Sequence, residues 1–302
     1  MRGTLPIAGW DVCHETRCHL PPVPAISECD TTATSSGPAC RLAASAGHDR
    51  PERPRPHQLI TPGGNELSVS AADISDKSVL QAIGDRRSIR YFDPDKKVED
   101  WKLQAMLQAG RLASCQGNIN ATEAIVVQKE TCDLWDEIEE CVSGFNVQII
   151  NQCSHLIFWV TNLNAWYGRA NDGLSTLALS GALTKYHGWN YEFTMTQTVP
   201  RLMSFPTERT EQLLRFESGL AVSQSMLAGV SQDVGSILIA FGRKPGGIEK
   251  AFGLPPHYRF TWGHAIGYPL EDAKAGGQRV RLKFEKLFHK DAYGNPYMPD
   301  PA

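Results

Sequence analysis

The chain has 302 residues, 41% of them hydrophobic, enough apolar material for one large domain or two ordinary ones. Lys and Arg number 30 against 33 Asp and Glu, a formal charge of -3, so no global electrostatic case exists for nucleic acid or an anionic membrane surface. No apolar run approaches the roughly 18–20 residues of a membrane span, and Leu5-Pro6-Ile7-Ala8 is too short for a secretory core. A cytoplasmic location is the expectation.

Residues 1–65 are rich in Pro, Ser, Thr, Ala and Gly, with Pro21-Pro22-Val23-Pro24 and Pro51-Glu52-Arg53-Pro54-Arg55-Pro56, and show no sustained period. They read as a disordered N-terminal extension, and residues 66–302 as the functional domain. A transit segment is the alternative, against which Asp11, Glu15, Glu28 and Asp30 argue. Cys13, Cys18, Cys29 and Cys40 lie near His14 and His19, but no pair has the C-x2-C spacing by which one turn presents two thiolates to a metal. No metal is expected, and the eight cysteines read as mostly free thiols.

The first expected element is a short helix over 76–83, capped by Asp76 or Ser75. A second runs from Val98 to Leu112, with Trp101, Ala105, Met106, Ala109 and Leu112 at helical spacing. Ala124 to Val127 predicts a short buried strand, Leu134 to Val142 an amphipathic helix, and His155 to Val160 an almost wholly apolar strand. Thr207 to Val230 is the longest helical candidate, capped by Thr207 and apolar on more than one face, hence central. Tyr258 to Ile266 predicts a strand closed by Gly267-Tyr268-Pro269, and the alternation of Val280, Leu282 and Phe284 predicts another over 280–288. The expected class is mixed, α+β.

Between the first two helices, Arg86, Arg87, Ser88 and Arg90 place three guanidinium groups and a hydroxyl within five residues. Arginine offers a planar fork of donors to phosphate oxygens, and serine adds a neutral bond. The stretch alone reads equally as a solvated basic helix end. It is followed by the loop Ser114-Cys115-Gln116-Gly117-Asn118-Ile119-Asn120 running into a strand, by Phe145-Asn146, by Cys153-Ser154-His155, and by Ile266-Gly267-Tyr268-Pro269. Arg279 and Arg281 come next. In this order the motifs resemble the nitroreductase family over Lys77 to His289.

The resemblance implies a mostly antiparallel central sheet wrapped by helices, with flavin mononucleotide (FMN) held at a homodimer interface. It places Arg86, Arg87, Ser88, Arg90, Arg279 and Arg281 at the phosphate and Ser114, Cys115, Gln116, Asn118 and Asn120 in a flavin loop. It sets Asn146 at the pyrimidine edge, and a backbone amide near Gly235 or Ser236 at N5. The loop departs from the family pattern at Ser114, Cys115 and Asn120, which stand where Pro, Ser and Gln are usual. Three residues after Asn146, a lysine of the family is here Ile149. Its loss predicts a lower flavin potential or a substitute donor, for which Gln148 is the neutral candidate.

Residues 165–206 correspond to the family's variable substrate cover, with Trp166, Tyr186, Trp189 and Phe193 as candidates for stacking on a planar substrate. The same rings could equally pack a helical excursion. Arg169, Lys185 and Arg201 read as carboxylate ligands or as solvated cations, Cys115 as a redox thiol or a packing residue, and His155 as a satisfied core histidine. The implied activity is hydride transfer through flavin N5 from NAD(P)H to a nitroaromatic, quinone or similar acceptor. A specialised biosynthetic dehydrogenase or oxidase using oxygen is the first alternative. A non-catalytic flavin- or phosphate-binding protein is the second.

Overall fold

The computed structural model describes residues 77–182, 190–272 and 281–297, all within the unit Arg55–Ala302. The expected extension 1–65 and the sites Tyr186, Trp189 and Arg279 lie outside these residues. In chain order the described elements begin with α1 (Val79–Asp85), α2 (Asp100–Arg111), β1 (Thr122–Val127), α3 (Trp135–Glu140), α4 (Asn146–Gln152) and β2 (His155–Asn162). They continue with α5 (Asn164–Leu179), α6 (Tyr191–Phe193), α7 (Val199–Met203), α8 (Thr207–Ser231), β3 (Gly235–Ile239), α9 (Gly247–Ala251), β4 (Tyr258–Gly267) and α10 (Phe284–Leu287).

The strands form one antiparallel sheet in the order β1-β2-β4-β3. All eight residues of β2 are buried, and their alternation feeds two cores. Leu156 and Phe158 pack on one face with Ile138, Ile149, Ile150 and Phe241, from the side of α3, α4 and α9. Ile157 and Trp159 pack on the other with Met106, Ala221, Val222 and Met226, from α2 and α8. Helices therefore cover both faces, which explains the continuous apolar run of β2 in an antiparallel setting. The α+β class and the central antiparallel sheet are as expected.

Several local expectations are corrected. Helix α1 begins after Ser78, whose hydroxyl accepts from Gln81 N while the Gln81 side chain accepts from Ser78 N, a capping box within the described residues; the expected caps Ser75 and Asp76 lie outside them. Thr207 is the first residue of α8 rather than its cap, because Pro206 takes the capping position without any side-chain bond. On α2 the core face is Leu103, Met106 and Gly110, and Leu112 is exposed. Strand β1 is only half-buried because it is a sheet edge. The strand expected over 280–288 is not formed by its described part: without a partner in the sheet, Phe284–Leu287 closes into a single helical turn. Strand β3 was not anticipated.

His155 is the satisfied core histidine expected: Nδ1 lies 2.9 Å from Ser154 Oγ, Nε2 meets the Gln128 amide, and burial lowers its pKa. His264 differs. It stands opposite Ile157 and Leu238 in β4, fully buried, with neither ring nitrogen bonded, and burial drives its pKa down from 6.5 to about 3. A group whose protonation is suppressed by folding favours the unfolded state as pH falls below the unfolded value. Stability should therefore decline from pH 6.5 downward, by about 2 kcal/mol at pH 5 from this residue. Urea titrations at pH 7 and pH 5 check this, with His264→Leu expected to remove that part of the difference.

Candidate functional site

The first group of predicted residues gathers at the β3 edge of the sheet. Ser88 forms a parallel bridge to Ser236, and Ile89 N donates to Ser236 O at 3.0 Å. The stretch after α1 is thereby pinned beside Gly235 and Ser236. Ile89 and Pro269 crowd Gly235, where a Cβ would sit 2.9 Å from each. Burial and the positive charges of Arg281 and Arg87 lower the pKa of Arg86. The charge of Arg281 is thus felt at Arg86 across almost two hundred residues of sequence. Neither guanidinium has an ion-pair or hydrogen-bond partner among the described residues. Ser236 Oγ is buried and equally unpartnered. Two uncompensated guanidiniums that feel one another, with the orphaned hydroxyl of Ser236 held at the bridge to Ser88 two residues on from Arg86, are the donor set of an anion site, and the set fits a phosphate.

Other members of the basic stretch bond within the chain, although Arg87 lines a cavity of about 310 Å³ together with Gly235 and Ser236. Arg87 donates from Nη1 to Gly84 O at 2.9 Å, and so closes the end of α1. Arg90 donates to Ser88 O at 2.9 Å, while its backbone N–H is taken by Glu271. Asn146 opens α4 half-buried, with no side-chain hydrogen bond among the described residues. Ile149, one turn on, is only 1% exposed among Ile89, Phe92 and Ile237. It is a core side chain, and Gln148 is the exposed neighbour.

The loop 114–120 lies at the opposite edge, where it leads into β1. Gly117, Asn118 and Asn120 have φ of 61°, 55° and 53°, the left-handed region that glycine and asparagine tolerate best. The contorted path is held from three sides. Gln116 N donates to Glu217 Oε1 on α8 at 2.7 Å. Arg169 Nη1 on α5 donates to Asn120 O at 2.7 Å. Gly173, also on α5, lies so close that a Cβ there would be 2.2 Å from Gly117 O. Asn120 Nδ2 donates back to Asn118 O at 2.8 Å, and Cys115 Sγ approaches Asn120 Oδ1 at 3.8 Å. Ser114, Cys115, Asn120, Trp159 and Glu217 line a cavity of about 450 Å³ beneath the loop. Sequence reading missed Glu217, whose signal was an acid set between the apolar positions of α8.

The substrate cover resolves into α5, α6, a π-helical turn (Thr194–Thr198) and α7. Trp166 is fully buried, donates Nε1–H to Leu202 O at 3.0 Å, and stacks on Phe205 with ring centroids 5.9 Å apart. It packs the cover and cannot stack on a substrate, which corrects that expectation. Phe193 is 42% exposed and borders an open cleft.

The loop clamp generates a prediction. Gly173→Ala should displace 114–120 and cost about 1–3 kcal/mol, the range for overpacking a close contact. Burial raises the Glu217 pKa, its Oε2 having no partner, so the folded state resists ionisation. Stability tied to this group therefore falls as pH rises from the ordinary carboxylate value through the raised one. Glu217→Gln keeps an acceptor for Gln116 N and should remove that pH dependence, whereas Glu217→Ala should remove it too but lose about 1–3 kcal/mol at acidic pH by leaving Gln116 N without its acceptor. Thermal unfolding across pH 4 to 8 distinguishes the two.

Comparison with known proteins follows the same outline. The family model described as "Nitroreductase family" matches residues 83–268. A Haemophilus influenzae protein named for an inferred NAD(P)H nitroreductase activity is 32% identical over 120 residues, 36% of this chain and 52% of that protein. The chain thus spans about half the length of that relative. A nitroreductase-type protein from Exiguobacterium sibiricum, solved in complex with FMN, superposes with a TM-score of 0.55 at 21% identity, over 69% of this chain and 95% of its own. The NADPH:FMN oxidoreductase of Vibrio harveyi, solved with NAD+, gives 0.52 at 18% identity, over 71% and 77%. With the family model covering more than half of its length, the chain belongs to the nitroreductase family.

Proposed function

We propose that this FMN-dependent oxidoreductase carries hydride from NAD(P)H to a small nitroaromatic, quinone or similar conjugated acceptor. The reading rests on one observation above the others: Arg86, unpaired and feeling the positive charge of the equally unpaired Arg281, lies two residues before Ser88, which bridges Ser236 and its orphaned hydroxyl. Such a cluster is stabilised by a dianion, and the FMN phosphate is the anion that family membership supplies. Bound FMN would supply hydride transfer at N5. The chain's own residues then hold and orient: Arg86, Ser88 and Arg281 at the phosphate, Asn146 as donor and acceptor at the pyrimidine edge, Gly235 as the close backbone approach. Arg279 is proposed for the same phosphate.

The two groups of residues stand at opposite edges of a four-stranded sheet, about 14 Å apart at the strand spacing. A second copy facing the first would bring the loop 114–120 of one against the basic cluster of the other. The exposed Phe216 of α8 and the exposed Leu282, Phe284 and Phe288 offer apolar area for that contact. We therefore assign the working form as a homodimer with both chains at each flavin, and residues 66–302 as its flavin domain. The specialised dehydrogenase or oxidase remains as a second reading. The observation favouring it is Ile149, which leaves the expected lysine position without a cation.

Purified protein should be yellow and dimeric by light scattering, with one FMN per chain. Arg86→Ala and Arg281→Ala should each weaken FMN binding about tenfold or more, as loss of charged hydrogen bonds does, and flavin fluorescence quenching measures this. A monomer that retains FMN would overturn the two-chain site. Gln148→Lys should raise the flavin potential in a reductive titration, whereas Ile149→Lys, burying an unpaired charge, should unfold the domain before any potential is read. NADPH oxidation in air, with and without a nitroaromatic, separates the two readings.

A further inference from the structure

We propose that Arg201 anchors the carboxylate of a flat, conjugated substrate in the cleft beside the flavin loop. The cleft has a volume of about 510 Å³ and is bordered by Gln116, Phe193, Gln197, Arg201 and Phe205. The proposal rests on the flavin reading in one respect: Gln116 belongs to the loop assigned to the cofactor, which sets this cleft next to it.

Three cations of the cover offered themselves in the sequence, and geometry separates two of them. Arg169 is engaged, with Nη1 on Asn120 O and Nη2 3.1 Å from Glu123 Oε1. Lys185 lies outside the described residues. Arg201 is exposed on α7, and its guanidinium has no hydrogen-bond or ion-pair partner among the described residues. Elsewhere on the neighbouring elements Arg215 and Arg259 both meet Glu211, so an arginine left over beside a cleft stands out. No carboxylate among the described residues borders the cleft.

The aromatic wall is rigid and carries positive charge as well. Phe205 stacks on the buried Trp166 at an interplanar angle of 22°, and the Arg209 guanidinium lies 4.2 Å from the Phe205 centroid. A ring held this way cannot swing aside, and the second guanidinium adds to the attraction for an anion. Opposite it, Phe193 follows an Asn190 cap and leads into the π-helical turn, whose wider spacing turns Gln197 and Thr198 to the cleft. The combination of a planar fork of donors, a fixed ring, a second exposed ring and two amides matches an aryl or enoyl carboxylate. The fork binds both oxygens, and the conjugated body lies along Phe193 and Phe205.

The test uses the full-length protein. Calorimetric titration with benzoate, which the enzyme cannot reduce, should show binding that raised salt weakens, about tenfold weaker in Arg201→Ala and partly restored in Arg201→Lys. In steady-state turnover, the ratio of KM for 4-nitrobenzoate to KM for nitrobenzene should rise about tenfold in Arg201→Ala. Equal benzoate affinity in wild type and Arg201→Ala, or an equal rise in both KM values, overturns the proposal. If KM for NADPH rises while those for NADH and 4-nitrobenzoate hold, the anion recognised is the dinucleotide's phosphate, which also overturns it. A protein that takes up no FMN yet binds benzoate through Arg201 would sink the flavin reading while leaving the anion assignment standing.

Discussion

The structure depends on burying β2 from both sides. Because all eight of its residues are enclosed, helices must cover each face of the sheet, and successive side chains must alternate between two separate cores. At about 25 cal/mol per Å² of apolar surface, the buried Leu156, Ile157, Phe158 and Trp159 of this strand contribute strongly to both cores. Its position in the order β1-β2-β4-β3 then dictates the rest. Both outer strands are sheet edges, and each edge carries one group of candidate ligands.

The division has an electrostatic counterpart. At the β3 edge the fold accepts a local cost by partly burying Arg86 within reach of the Arg281 charge and leaving Ser236 Oγ without a partner among the described residues. At the β1 edge the cost is conformational, with Gly117, Asn118 and Asn120 of one loop held at positive φ. Both kinds of strain need surroundings that over-determine them. The first is held by the Ser88–Ser236 bridge and the second by Glu217, Arg169 and Gly173. Helix α8 links the two, since it packs under the loop through Glu217 and Leu214 and reaches α1 and β3 near its end.

Much of this was legible in the residues. The apolar run of β2, the long helix α8 and the spacing of the basic stretch each follow a period or a composition that survives folding. What failed was set by tertiary context. The alternation over 280–288 describes a strand only where a partner strand exists. Ile149 stands at the family's lysine position, and the sequence does not show that its side chain is packed in the core cluster with Ile89, Phe92 and Ile237. Trp166 looked like a substrate platform because aromatic density alone cannot tell a ring packed against Phe205 from a ring facing a cleft. Glu217 was invisible because an acid on a long helix is ordinarily solvated, and only the approach of Gln116 N shows its use.

The loop 114–120 uses its own polar side chains inwardly. Asn120 stands where the family has glutamine, and its shorter amide is spent on Asn118 O within the loop. Cys115 likewise turns toward Asn120 Oδ1. Side chains that close a loop on itself cannot also reach outward without breaking those bonds, each worth about 1 kcal/mol net. Outward recognition therefore passes to the neighbours that remain free to make it. Gln116 gives only its backbone N–H to Glu217, so its side-chain amide stays on the cleft, and the cover contributes Phe193 and Arg201 to the same wall. If the loop holds the flavin as proposed, these inward bonds leave substrate recognition to the cover, where Phe193 and Arg201 border the cleft.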